Sequence, residues 1–445
     1  MFIGTFTFFD VRNRAHEYRM GGWLPNDHRV HHEWLSGVVS HVDSNPKKLI
    51  PVLQELRDLI EKNTRIYVLF NSMFDDIPKK QPYAKDPTGK RQVRDYKHML
   101  ALLNHILTTA PAWDDNSKKA GMVGVPINAV LDWPMGTAAG FAAFQDPEIN
   151  AVMKKVLNVW GEFLQSPASA YVLGDQQNGW FGAHGKNTLA VTANINKTSY
   201  TFEELFQCDP LAKNHGYKSW DDFFTRHFKE GIRPVASPED DNVIANACES
   251  RPYKVAREVK ARDKFWIKGQ PYSVLDMLAM DTLSEQFYGG TIYQAFLSAL
   301  SYHRWHAPVS GKVIKSYVKE GTYYSEPLFE GVGDLDKHEI DPKGESTGQA
   351  YLTATATRAI IFIEADNPAI GLMCFLGIGM TEVSTCDITV KVGQHIKKGD
   401  EMGMFHFGGS SHVLLFRKGV NVQGFPEIGG TLNVPVRSEV ARVLS

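Results

Sequence analysis

A change in hydrophobic period near the middle of the chain divides what it can fold into. Before about residue 200, apolar residues recur at helical spacing. Residues 47–62 place Leu49, Val52, Leu53, Leu56, Leu59 and Ile60 on one face, with Glu55, Arg57, Asp58 and Glu61 opposite. Residues 97–109 repeat the pattern with Met99, Leu100, Leu103, Ile106 and Leu107, and residues 151–164 predict another helix that breaks at Ser166-Pro167. Ser219 is placed to accept from first-turn amides, and Asp221 and Asp222 follow where a helix dipole favours negative charge. From about Val243 onward β-branched residues and glycines become frequent, which predicts short strands and tight turns. Helices first and strands afterwards is an α+β order rather than alternating βα units. We therefore expect a mainly helical region over residues 1–200 and a β-rich domain over 201–445.

At 445 residues the chain can bury a sizeable core, and 43% hydrophobic with 22% charged residues is ordinary for a folded protein. A formal net charge of −2 argues against a general nucleic-acid binder, which needs a clustered basic surface. Cys208, Cys248, Cys374 and Cys386 are too few and too scattered for a disulfide framework, and no CxxC pair points to zinc. The apolar start, Met1 to Phe9, lacks the basic flank of a signal peptide. The apolar run 369–380 is shorter than the ~20 residues a membrane helix needs. A cytoplasmic protein without integral membrane association is expected.

Two stretches of the β-rich part share a pattern. One runs from Pro308-Val309-Ser310-Gly311 to Glu320-Gly321-Thr322, and the other from Val390-Lys391-Val392-Gly393 to Lys398-Gly399-Asp400. Such turns resemble those of biotinyl and lipoyl carrier domains, a flattened barrel of short strands, with glycine supplying positive φ. A carrier needs an acceptor lysine in a tight hairpin between the halves. Here about sixty residues separate them, so a barrel-sandwich-like topology is expected without the carrier's task.

The chemistry concentrates in Phe405-His406-Phe407-Gly408-Gly409-Ser410-Ser411-His412. A hydrolase elbow would need glycine where His412 stands. Alone, Gly-Gly-Ser-Ser could simply be a turn between strands. Two distant words give it meaning: Tyr302-His303-Arg304-Trp305-His306 and Ala247-Cys248-Glu249-Ser250. Together these resemble the phosphatidylserine decarboxylase family, whose members carry Y-H-R-x-H, a P-A-D-G-like segment and an L-G-S-T-like cleavage site. Phe223-Phe224-x-Arg226, Arg233-Pro234 and Gly379-Met380-Thr381-Glu382-Val383 are further family-like words, and the resemblance covers residue 218 to the C-terminus. Within the family, the G-G-S-S form with a helical extension is most similar to fungal L-tryptophan decarboxylases.

The resemblance implies that Ser410 attacks the Gly409 carbonyl and that the chain divides into residues 1–409 and 410–445. Residue 410 would then become a pyruvoyl group, the electron sink for decarboxylation, with no pyridoxal phosphate. A serine hydroxyl needs a base, and the resemblance gives that role to His306. The usual orienting Asp falls on Glu249, and His303 is the candidate for holding the substrate carboxylate or aiding proton steps. The implied partner is a small-molecule amino-acid substrate, with L-tryptophan or another aromatic amino acid favoured. The alternatives are phosphatidylserine as substrate and an unprocessed binding protein of the same fold. No metal site is expected: His28, His31 and His32 lack an acidic or Cys partner and read as a solvated face. The basic stretch 79–94 reads as an exposed loop.

Overall fold

The computed structural model describes residues 28–75, 93–113, 125–195, 198–263, 272–325, 348–383, 385–407, 410–428, 430 and 432–444. The first half is helical: α1 His28–Ser44, α2 Pro51–Lys62, α3 Thr64–Asp75, α4 Tyr96–Ile106, α5 Pro126–Met135, α6 Ala138–Phe144, α7 Pro147–Gln165 and α8 Ala183–Ala193. In α2, Val52, Leu53, Leu56 and Ile60 are the buried face, and Pro51 opens the helix where its missing N–H costs nothing. Helix α7 is capped by Asp146, which accepts from the Glu148 and Ile149 amides, and it buries seven apolar residues including Trp160. The shorter α9 Phe202–Leu205 and α10 Trp220–Phe224 follow, and Ser219 caps α10 by accepting from the Asp222 N–H. Most of the basic stretch 79–94, and the side chains of His28, His31 and His32, lie outside the described residues.

The second half supplies strands β1 Val243–Ala245, β2 Arg251–Arg257, β3 Thr291–Leu297, β4 Arg304–His306, β5 Gly311–Lys319, β6 Arg358–Ala365, β7 Leu372–Gly379, β8 Thr385–Ile388, β9 His395–Ile396, β10 Glu401–His406, β11 Ser410–Phe416, β12 Val422–Gln423 and β13 Glu439–Val443. Two short helices, α11 Val274–Met277 and α12 Gln349–Thr355, interrupt them. The main sheet has the order β2-β3-β11-β7-β6-β5-β9, with antiparallel neighbours throughout. It remains open, with β2 and β9 at its edges, so the expected α+β architecture forms without a closed barrel among the described residues. The two repeated words meet at one edge, where Gly311 pairs with Ile396. Gly393 and Gly399 hold φ of 86° and 89°, the left-handed backbone expected of those turns.

Every residue of β7 and β11 is buried, because both faces of the sheet are covered. Strand alternation sends Tyr293, Phe375, Leu414 and Phe416 to one core and Ile292, Leu376, Val413 and Leu415 to the other. On the first face a three-stranded sheet, β4-β10-β8, packs through Trp305, whose ring meets Phe405 at 4.7 Å and Phe375 at 5.4 Å. Gly377 admits that indole: a Cβ there would lie 3.0 Å from Trp305 Cζ2. The helical core also takes in Tyr302, Tyr323, Tyr324, Phe407 and Val436 from the second half. The two halves are therefore packed as one body around these five residues.

Candidate active site

Phe407 closes the strand side of the Gly-Gly-Ser-Ser segment. Its φ is 41°, a left-handed backbone that a bulky residue adopts only when its surroundings compel it. The compulsion is aromatic. Trp160 of α7 and Trp220 of α10 each meet the Phe407 ring edge-on at 4.5 Å, and Phe224 lies at 5.9 Å. One residue earlier, His406 Nδ1 sits 3.0 Å from Asp221 of α10. Burial pulls this imidazole down, but the Asp221 hydrogen bond and the Asp387 charge outweigh it and leave the group raised. Helices α7 and α10 thus pin the backbone that enters the glycine pair. Gly408 and Gly409 themselves lie outside the described residues.

Ser410 opens β11, paired with Leu297 on one side and Gly379 on the other. It is fully buried, and its Oγ has no hydrogen-bond partner among the described residues. Ser411 points to the opposite face, where its Oγ accepts from Gln294 Nε2 at 3.1 Å. His303 is fully buried and stacks on Phe224 at 4.1 Å. Since Phe224 also touches Phe407, His303 belongs to the aromatic group that holds the entrance to Ser410.

His306 lies on β4, with Nδ1 at 2.9 Å from the Gly399 carbonyl and Nε2 at 3.1 Å from the Tyr302 hydroxyl. The neutral tautomer with its proton on Nδ1 satisfies both contacts, since Nδ1–H donates to Gly399 and Nε2 accepts from Tyr302. Arg437 Nε donates to the same carbonyl at 2.9 Å and stands 3.2 Å from Nδ1. Burial and then the Arg437 charge push this imidazole down to about 3, so it is a neutral base at ordinary pH.

Glu249 is buried but does not touch His306. Its carboxylate accepts from Arg233 Nε at 3.0 Å and Nη2 at 2.6 Å, and from the Val436 N–H at 2.8 Å. Arg233 also donates to Ala193 O at 2.6 Å and lies over Phe228, whose ring stacks on Tyr302. Glu249 therefore reaches His306 indirectly, through Val436 to its neighbour Arg437, and through Arg233 and Phe228 to Tyr302. Among the described residues no hydrogen bond joins Ser410, His306 and Glu249 into one relay.

Sequence reasoning passed over His412. Period-two alternation places it on the same face as Ser410, which was the available signal. It is fully buried, its Nε2 is 3.0 Å from Ser250 Oγ, and its Nδ1 has no partner among the described residues. Burial lowers it to about 3. Ser250 follows Glu249, so the Ala247–Ser250 word touches both the Arg437 segment and the strand begun by Ser410. Among the described residues no group of three or more His, Cys, Asp or Glu side chains is placed to hold a metal ion, and no helix is long and apolar enough to cross a membrane.

The sequence matches the family profile for phosphatidylserine decarboxylase over residues 220–433, and a second profile of that description over 50–189. The second match extends the likeness into the helical half, which its short motifs had not shown. The chain is 45% identical over 300 residues to the decarboxylase iboD of Amanita muscaria, covering 66% of this chain and 84% of that one. It is 36% identical over 413 residues to an L-tryptophan decarboxylase of Psilocybe cyanescens, covering 90% and 89%. Phosphatidylserine decarboxylase proenzyme 3 of Schizosaccharomyces pombe is 30% identical over 213 residues, 48% of this chain and 20% of that protein.

Proposed function

Because the chain belongs to the phosphatidylserine decarboxylase family and is a carboxy-lyase, we propose that it cuts itself before Ser410 and then decarboxylates an aromatic amino acid, L-tryptophan first. The observation that carries this reading is the buried Ser410 hydroxyl, without a partner among the described residues and preceded by two glycines and a strained Phe407. In maturation the Ser410 Oγ attacks the Gly409 carbonyl carbon, the C–N bond breaks, and an ester replaces the amide. Elimination frees the Gly409 carboxylate, and hydrolysis at residue 410 releases ammonia and leaves a pyruvoyl end. His306, neutral through burial, is the proposed acceptor of the hydroxyl proton. Glu249 is a positioning residue in this scheme, acting through Arg233 and Val436.

The surroundings of residue 410 suit such a group: β3 and β7 hold the strand from both sides, Ser410 is fully buried, and Trp160 packs on Phe407 just before the glycine pair. When formed, the pyruvoyl group supplies the electron sink that loss of CO2 requires. His303, beside Phe224, is the proposed residue for the substrate carboxylate or the proton that replaces CO2.

The binding-protein reading falls with family membership, since the relatives are decarboxylases. Phosphatidylserine remains the alternative substrate, and the long match to an L-tryptophan decarboxylase favours the amino acid. The test is CO2 release by purified protein from L-tryptophan, other aromatic amino acids and phosphatidylserine vesicles, with a denaturing gel run beside it. We expect two chains and tryptophan turnover. Ser410→Ala should give one undivided chain without activity, and activity in that undivided variant would overturn the scheme.

A further inference from the structure

Two neighbouring residues of α10 grip two neighbouring residues at the end of β10. Trp220 meets the Phe407 ring at 4.5 Å, and both carboxylate oxygens of Asp221 accept from His406 Nδ1–H, at 3.1 and 3.0 Å. The other ring nitrogen, Nε2, faces Asp387 of β8 at 3.7 Å. Asp387 lies two positions beyond Thr385, the register partner of His406 on the neighbouring strand. The His406 and Asp221 side chains are only 19% and 11% exposed, so their contact is largely out of water. The other charges close by are engaged elsewhere. Asp222 accepts the Lys218 N–H, and Arg304 of β4 donates to Glu401 and to the Thr225 carbonyl.

An imidazole between two carboxylates can serve both only as the cation. When neutral it carries one N–H, and its second nitrogen turns a lone pair toward a negative oxygen. When charged, both N–H groups face carboxylates, and a charge-assisted bond is roughly twice as strong as a neutral one. Burial opposes the charge, but Asp221 and Asp387 prevail and hold the group above its ordinary 6.5. The folded chain thus keeps a proton that the unfolded chain releases. The grip is complete below 6.5 and is lost as pH rises through the higher folded value.

His406 stands directly before Phe407, whose strained backbone leads into the glycine pair. We propose that His406, held as a cation between Asp221 and Asp387, is a positioning residue for self-cleavage, so that maturation is gated by a proton. The cation fixes the end of β10, and with it the approach of the Gly409 carbonyl, three residues on, to the Ser410 hydroxyl. It takes no proton from the serine. The assignment rests on the self-cleavage reading above and adds a control that the proposed base does not provide. His306, near 3, stays neutral throughout the range in which His406 changes charge.

The test follows the 410–445 fragment after full-length chain from cell-free translation is diluted into buffers from slightly acid to alkaline pH. We expect the native rate to fall by on the order of 10-fold as pH rises, the loss of one hydrogen bond to a charged group. His306 alone would leave that rate level. Asp387→Asn should move the fall to lower pH. His406→Gln should be slow at every pH without an inflection, and His406→Lys, charged throughout, should cleave without the alkaline fall. Glu382 also titrates near this range, at about 7, so the native inflection persisting in His406→Gln would overturn the assignment. A native rate that is level or rises with pH would overturn it too. Uncut Ser410→Ala protein gives a separate reading by NMR of the His406 ring, where titration at or below 6.5 would also overturn it. No fragment from the native chain at any pH would instead overturn the self-cleavage reading.

Discussion

Ser410, His306, Glu249 and His303 are all buried, but each is held by a different set of neighbours. His306 is kept neutral with its acceptor nitrogen on Tyr302. His306→Ala should yield a single uncut chain on a denaturing gel, whereas His412→Phe should still be cut. The reverse result would assign the proton transfer to His412, which shares the strand face of Ser410. Glu249 and Arg233 form a buried pair, 2% and 8% exposed at their side chains. Arg233→Ala strands the carboxylate and should cost about 3–5 kcal/mol, read by denaturant unfolding. Its maturation should also slow, because the Val436–Arg437 segment beside His306 loses its anchor; a large stability loss with unchanged cleavage would separate Glu249 from the proton step.

At the level of elements, helices α7 and α10 bear on the candidate site through Phe407. Their indoles hold Phe407 in a conformation it would not adopt alone. Trp220→Ala should destabilise by about 3–5 kcal/mol, the usual cost of truncating a large buried aromatic, and should slow self-cleavage measured by the appearance of the 410–445 fragment. Cleavage at the native rate in a folded Trp220→Ala protein would show that the cluster serves stability alone. The α10 cap was legible beforehand, since Ser219, Asp221 and Asp222 stand in order. That Asp221 would also reach His406 was not, because the partners are separated by 185 positions.

For the whole molecule, buried titratable groups set opposing pH dependences. His306 and His412, near 3 when folded against an ordinary 6.5, leave the unfolded chain binding more protons between those values. Their contribution is complete above about 6.5 and is lost as pH falls toward 3. Glu382, raised by burial to about 7 from 4.5, works the other way: the folded chain keeps a proton that the unfolded chain releases, so its contribution declines as pH rises from 4.5 to 7. His412→Phe should therefore flatten the fall in Tm between pH 6.5 and 4, and Glu382→Gln should steepen it. Identical Tm profiles for native and His412→Phe would mean that His412 is not a buried neutral group.

Local order in the chain was enough to set the helical and strand halves, the α10 cap and the glycine turns at 393 and 399. Each depends on spacing or backbone preference within a few residues, so each is written where it acts. Tertiary structure decided the rest: Glu249 on Arg233 instead of His306, Tyr302 on the His306 acceptor nitrogen, two indoles against Phe407, and His412 on the Ser410 face with Ser250. Those contacts join segments far apart in sequence, and which of several possible partners a buried polar group takes is settled only when packing fixes what lies within about 3 Å of it.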